Sequence, residues 1–220
     1  FVRGLGDRYN STTMNGLPVV SNDPEKKNIE LDLFSTDIVE YISIDKTYAA
    51  RNSGDFAGGN VDINSKKHNG KPTFGISIGA NANTNALGVD NFLLQDGRSK
   101  IGFNKNNNVP NNSLDGYNFA TPLKTSHAVP FGSNIAINGG RSFLIGPEGK
   151  LNLFATATFE NDYNYREGID KQVSAQNARI KDFQHKKYNY GTKTTGMFNA
   201  DYEINSKNNI DYNFLFVNSS

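Results

Sequence analysis

The chain has no cysteine and no tryptophan among its 220 residues, only seven prolines and two methionines, and no excess of either charge. Each scarcity excludes something. Without cysteine there can be no disulfide, thiolate zinc site or cysteine nucleophile, and the redox compartment is left unconstrained. With 23 Lys and Arg against 22 Asp and Glu, the net charge is +1. No single-sign field draws such a chain onto phosphate backbones, so nucleic acid is not an expected partner. Asn, Asp, Lys and Gly interrupt every apolar run well short of the roughly 18 to 20 residues a spanning helix needs, so any membrane role must use strands. Phe1 is not an initiator methionine and no basic-then-apolar leader precedes it. The expectation is that a signal peptide was cleaved or lies outside this sequence.

Enzyme motifs are equally scarce. Gly4-Leu5-Gly6 begins like a dinucleotide loop, but Tyr9 stands where the third glycine belongs and no long strand-to-helix unit follows. His68, His127 and His185 have no second ligand at the spacing of a metal site and read as residues of solvated loops. In Asp162-Tyr163-Asn164-Tyr165-Arg166 the arginine occupies a ligand position of a calcium loop, and no Glu closes it. No Gly-x-Ser-x-Gly elbow occurs. The sequence therefore predicts no catalysis, no metal and no cofactor.

What the chain does contain is alternation. In Thr73 to Asn83 the residues Phe74, Ile76, Ile78, Ala80 and Ala82 are apolar, and those between are small or polar. From Leu151 to Glu160 the apolar row is Leu151, Leu153, Ala155, Ala157 and Phe159, with Phe154 the one exception on the other face. Weaker versions cover Asn134 to Phe143, Tyr190 to Ile204 and Ile210 to Val217. Period two marks strands with one apolar and one polar face. Several of the five approach the nine to eleven residues with which a tilted strand crosses hydrocarbon. On this facing, an acidic residue at Phe74 or Leu153 should disrupt assembly, whereas Ser77 or Thr156 should tolerate one.

The connections alternate too. Residues 85–131 form a long loop rich in Asn, Gly and Pro; Gly146-Pro147-Glu148-Gly149 is a tight turn; 164–188 is a second long loop; and Asn205 to Asn209 is short again. Long outside and short inside is the layout of an outer-membrane barrel. A soluble sandwich alternates as well, but seldom carries so long a structureless loop. Tyr163, Tyr165, Tyr188 and Tyr190 flank the second loop. They are expected mainly as girdle residues at headgroup height, with Tyr163 and Tyr165 also candidates for contacting a ligand. Five strands cannot close a membrane barrel, so the chain is expected to be part of something longer.

Before residue 67 the charge balance is different. Residues 1–66 carry a net −3 and 67–220 a net +4. The division expected is a unit over 1–66, a polar link over 67–71 and barrel strands over 72–220. Within the first unit, Phe1 to Gly4 reads as a short strand and Asn15-Gly16 as a hairpin turn. Asp37 with Glu40 suggests a capped helix beginning at Ile38-Val39, and Tyr41 to Lys46 a further strand. The unit is then α+β.

Val2-Arg3-Gly4, Met14-Asn15-Gly16-Leu17-Pro18-Val19, Asp37 to Lys46 and Gly54-Asp55-Phe56-Ala57-Gly58-Gly59-Asn60-Val61-Asp62-Ile63 follow one another in that order. Together they resemble the C-terminal part of the plug domain of TonB-dependent outer-membrane receptors. The string Arg3-Gly4-Leu5-Gly6-Asp7-Arg8-Tyr9-Asn10 is similar to a large branch of that family. The resemblance implies an α+β plug followed by the first antiparallel strands of a transmembrane barrel of about 22 strands. It implies energised uptake of a scarce nutrient such as a siderophore, vitamin, glycan or peptide. It also implies partners: outer-membrane lipid, a small nutrient ligand, in some members a lipoprotein, and the TonB complex of the inner membrane through a segment outside this sequence. By that resemblance Arg3 and Arg51 pair with barrel carboxylates, and the loop Asp7, Arg8, Tyr9 and Asn10 is presented to the rest of the barrel. The rival expectations are a passive porin-like or secretion-complex subunit, and a soluble β-rich adhesin or glycan-binding module.

Overall fold

The computed structural model describes residues 10–19, 21, 29, 31–50, 52, 54, 58–95, 99–103 and 125–220. The chain is predominantly antiparallel β-sheet with little helix. Its contacts separate into two units. One holds residues 1–76, 136–158 and 195–217, the other 77–135, 159–194 and 218–220.

In the first unit, β1 (Asn10–Met14), β2 (Leu17–Pro18), β3 (Val39–Asp45) and β4 (Gly59–Ser65) form a sheet in the order β2-β1-β4-β3. The β1–β2 turn is the expected Asn15-Gly16, with φ of 51° and 78°, the left-handed pair that matches the twist of a tight hairpin. Strand β1 runs parallel to β4, and β3 antiparallel to it. The expected helix at Ile38 is not there. Ser35 Oγ accepts from the amide of Asp37, the turn closes through Ile38 N to Ser35 O, and β3 begins at Val39. The β-branched run and the alternation of Ile42 and Ile44 outweigh the cap signal.

The long strands are β5 (Thr73–Ala82), β8 (Phe131–Ile145), β9 (Gly149–Val173), β10 (Arg179–Asn205) and β11 (Asn208–Ser219), ordered β11-β10-β9-β8-β5. All five expected strands are present. Between β5 and β8 lie a one-turn helix α1 (Thr84–Leu87) and the hairpin β6 (Phe92–Gln95) with β7 (Thr125–Ala128). Residues 164–188, expected as a loop, are mostly strand: only 174–178 separate β9 from β10. The ion pairs Lys181–Asp170 and Lys171–Asp182 tie that hairpin across its strands.

The long strands are apolar where they are exposed and polar where they are covered. Phe74, Ile76 and Ile78 on β5 are exposed, Ile78 at 79%, as are Ile135 and Ile137 on β8 and Ile210, Tyr212, Phe214 and Phe216 on β11. Asn152 at 3%, Thr156 at 4%, Thr195 at 1% and Asn199 at 3% are buried. A soluble sheet has these faces the other way round.

Candidate functional site

Three large apolar side chains, Phe154, Met197 and Leu215, one each on β9, β10 and β11, interrupt the polar covered face. They pack with Met14 of β1, Ile63 of β4 and Ile38 into the core of the first unit. Phe154, the exception in the alternation, is thus the anchor on which the N-terminal sheet sits. Polar contacts surround it. Asn15 Nδ2 donates to Asn213 Oδ1 at 3.0 Å and to Ser65 Oγ at 2.8 Å.

The link that follows β4 is bound residue by residue. Lys66 O accepts from Asn199 Nδ2 at 2.9 Å, and Lys67 pairs with Asp211 at 2.7 Å. The His68 ring lies over Gly140, with Nδ1 3.3 Å from Thr73 Oγ1. Asn69 accepts from Lys150, and Gly70 N donates to Ser142 Oγ at 3.0 Å. Five consecutive residues therefore reach all five long strands. His68 is buried rather than on a solvated loop, and His127 and His185 lie on β7 and β10.

The second unit has its own centre. Phe92 is buried, with the rings of Tyr163 and Tyr188 edge-on at 5.3 and 5.4 Å. The Tyr165 ring lies tilted against Tyr188 at 5.1 Å, and the Tyr190 ring against Tyr163 at 4.7 Å. These tyrosines are not on the exposed apolar face where a girdle would lie. The covered positions of β9 are even-numbered to Thr158 and odd-numbered at Asn161 and Tyr165. In β10 the same shift falls between Thr192 and Thr195. The parity of the covered positions thus changes along each strand, and with it the tyrosines fall on covered positions.

Burial pushes the Tyr165 hydroxyl up to about 12, helped by its hydrogen bond of 2.9 Å to Glu167 and by that carboxylate's charge. Burial also raises Tyr163 and Tyr190. Beside this cluster is a cavity of about 780 Å³, bounded by Thr84, Asn85 and 88–90 and by Tyr165, Arg166, Glu167 and Lys186. A second, of about 300 Å³, shares Glu167 and Lys186 with it and adds His185.

Of the residues expected to carry function, Tyr165 lines the larger cavity, while Tyr163 packs against Phe92. Asn10 opens β1, buried and opposite Gly59 of β4. Arg3, Asp7, Arg8, Tyr9 and Arg51 lie outside the described residues. Asp90, Glu167 and Lys186 were not singled out from the sequence, and Arg166 only as the residue that spoils a calcium loop, because nothing in it shows that α1 folds against the β9–β10 hairpin. Among the described residues no cluster of three His, Asp or Glu could hold a metal, and no helix is long and apolar enough to cross a membrane. The chain matches no model of a known family, no curated protein and no solved structure.

Proposed function

We propose that the chain forms the plug-side part and the leading strands of a TonB-dependent outer-membrane receptor, working by ligand binding and conformational gating without covalent chemistry. The observation that carries this reading is the inverted sheet. Large apolar side chains cover its exposed face, and Asn, Thr and Ser line the face that receives the N-terminal sheet. In water such a face would be an aggregation surface; in hydrocarbon it is the stable arrangement. Near the turn at 146–148, Arg141 lays its guanidinium over the Phe143 ring at 4.9 Å, as a cation does when its stem lies on an apolar surface and its head reaches the interface.

Strand length supports the same reading. At about 3.3 Å per residue, strands such as β9 and β10 are far longer than the nine to eleven residues a crossing uses. The remainder of the two strands forms the hairpin that bears the tyrosine cluster and the cavities. The β5 and β11 edges of the five-stranded sheet would be met by further strands, since open edges cannot face lipid. A passive porin-like pore would not need an N-terminal unit anchored through Phe154 and strapped through residues 66–70.

The test is fractionation of native cells, followed by uptake measurements. The chain should sediment with the outer membrane and leave it only in detergent, and uptake of its nutrient should cease when TonB is deleted. Release into the soluble fraction would exclude the membrane reading. Uptake indifferent to TonB would leave the passive pore.

A further inference from the structure

We infer that the two adjoining cavities on the β9–β10 hairpin form one groove for a short zwitterionic peptide. This inference rests on the receptor reading and names its ligand class. The larger cavity, at about 780 Å³, lies in the range of small-ligand sites, and the smaller one prolongs it across Glu167 and Lys186. Its walls are fixed before any ligand arrives. Asn83 caps α1 through Oδ1 to the amides of Asn85 and Ala86, and its Nδ2 donates to Asn164 Oδ1 at 2.8 Å. Phe92 then locks the following segment against the tyrosines. A wall held this way loses little entropy on binding.

The lining decides the chemistry. Two carboxylates, Asp90 and Glu167, and two cations, Arg166 and Lys186, come from three different segments. Among the described residues Asp90, Arg166 and Lys186 pair neither with one another nor with anything else, and Glu167 is engaged only by the neutral Tyr165 hydroxyl. A polyanion would meet Asp90 and Glu167, and a polycation would meet Arg166 and Lys186. A ligand with one ammonium and one carboxylate at its two ends complements both signs. A neutral glycan fits less well. The tyrosine rings that could receive a sugar are already packed against one another and against Phe92, tilted or edge-on.

Isothermal titration of the detergent-solubilised chain with trialanine, its N-acetyl amide and maltotriose tests this. Trialanine should bind at least tenfold more tightly than the doubly blocked peptide, and maltotriose should not compete. D90N and K186Q, both on exposed positions of different segments, should each weaken trialanine tenfold or more and leave the blocked peptide unchanged. Equal binding of free and blocked peptide, indifference to both variants, competition by maltotriose, or no binding by a folded protein would overturn the groove assignment. A chain that needs no detergent would overturn the receptor reading instead, so the two failures are distinct.

Discussion

Asn199 donates through Nδ2 to both Ser65 Oγ at 2.8 Å and Lys66 O at 2.9 Å, joining the end of β4 to the middle of β10 where neither is exposed to water. Replacing Asn199 with Ala leaves the Lys66 carbonyl without its side-chain donor and the Ser65 hydroxyl with Asn15 alone, at a cost of about 1–3 kcal/mol. N199A should therefore free the link at residues 66–70 for proteolysis under conditions in which the parent chain is resistant. Unchanged cleavage kinetics would mean that Phe154 and Met197 hold the N-terminal sheet without this bond.

Gly140 makes room for His68. A β-carbon at Gly140 would fall deep inside the His68 ring's contact distance, so G140A should lift the link from β8 and lower the unfolding temperature. The substitution H68A removes the obstacle. The double variant G140A/H68A should thus lose less than the two single losses added together. Strict additivity would show that ring and glycine do not meet.

Much of this architecture is legible as alternation, and the errors come from where the alternation changes phase. Phe74, Ile76 and Ile78 announce their exposed face without help, because a period of two needs no knowledge of the partner. Tyr163, Tyr165, Tyr188 and Tyr190 share the parity of the apolar rows below them and so read as exposed. The shifts at Thr158 to Asn161 and Thr192 to Thr195 reverse them, and no turn residue marks either shift. Phe154 was visible as an anomaly, but its meaning required Met14, Ile38 and Ile63, which are distant in sequence. The cavity was invisible for the same reason: Asp90 and Lys186 meet only through tertiary packing.

The two faces of β5 should respond oppositely to charge. Ile76 is exposed on the apolar face, and a basic residue near the hydrocarbon midplane costs about 2–4 kcal/mol. I76R should therefore lose most of its folded yield in lipid vesicles, while S77R on the neighbouring polar face should stay near the parent. Thr156 does not belong with Ser77, although both lie on polar faces. It is 4% exposed and its hydroxyl donates to Ile137 O at 3.2 Å, so an acid there is buried without a partner. T156D should fold poorly, against the expectation from alternation alone, and equal yields for I76R and S77R would mean that the facing is wrong.

Tyr165 supplies a test of the tyrosine cluster by pH. Its folded value near 12 lies above the ordinary value of 10.0, so between those two the folded chain keeps a proton that the unfolded chain has released. The hydroxyl's contribution is therefore complete below about pH 10 and is lost as pH rises toward 12. Tyrosinate absorbance of the folded protein should contain a late step that Y165F removes, and the hairpin should become protease-sensitive over the same interval. In E167Q the carboxylate's charge is gone and the step should move to lower pH. If Y165F leaves the late step in place, the buried hydroxyl belongs to another tyrosine, and the arrangement around Phe92 and Glu167 is not the one described.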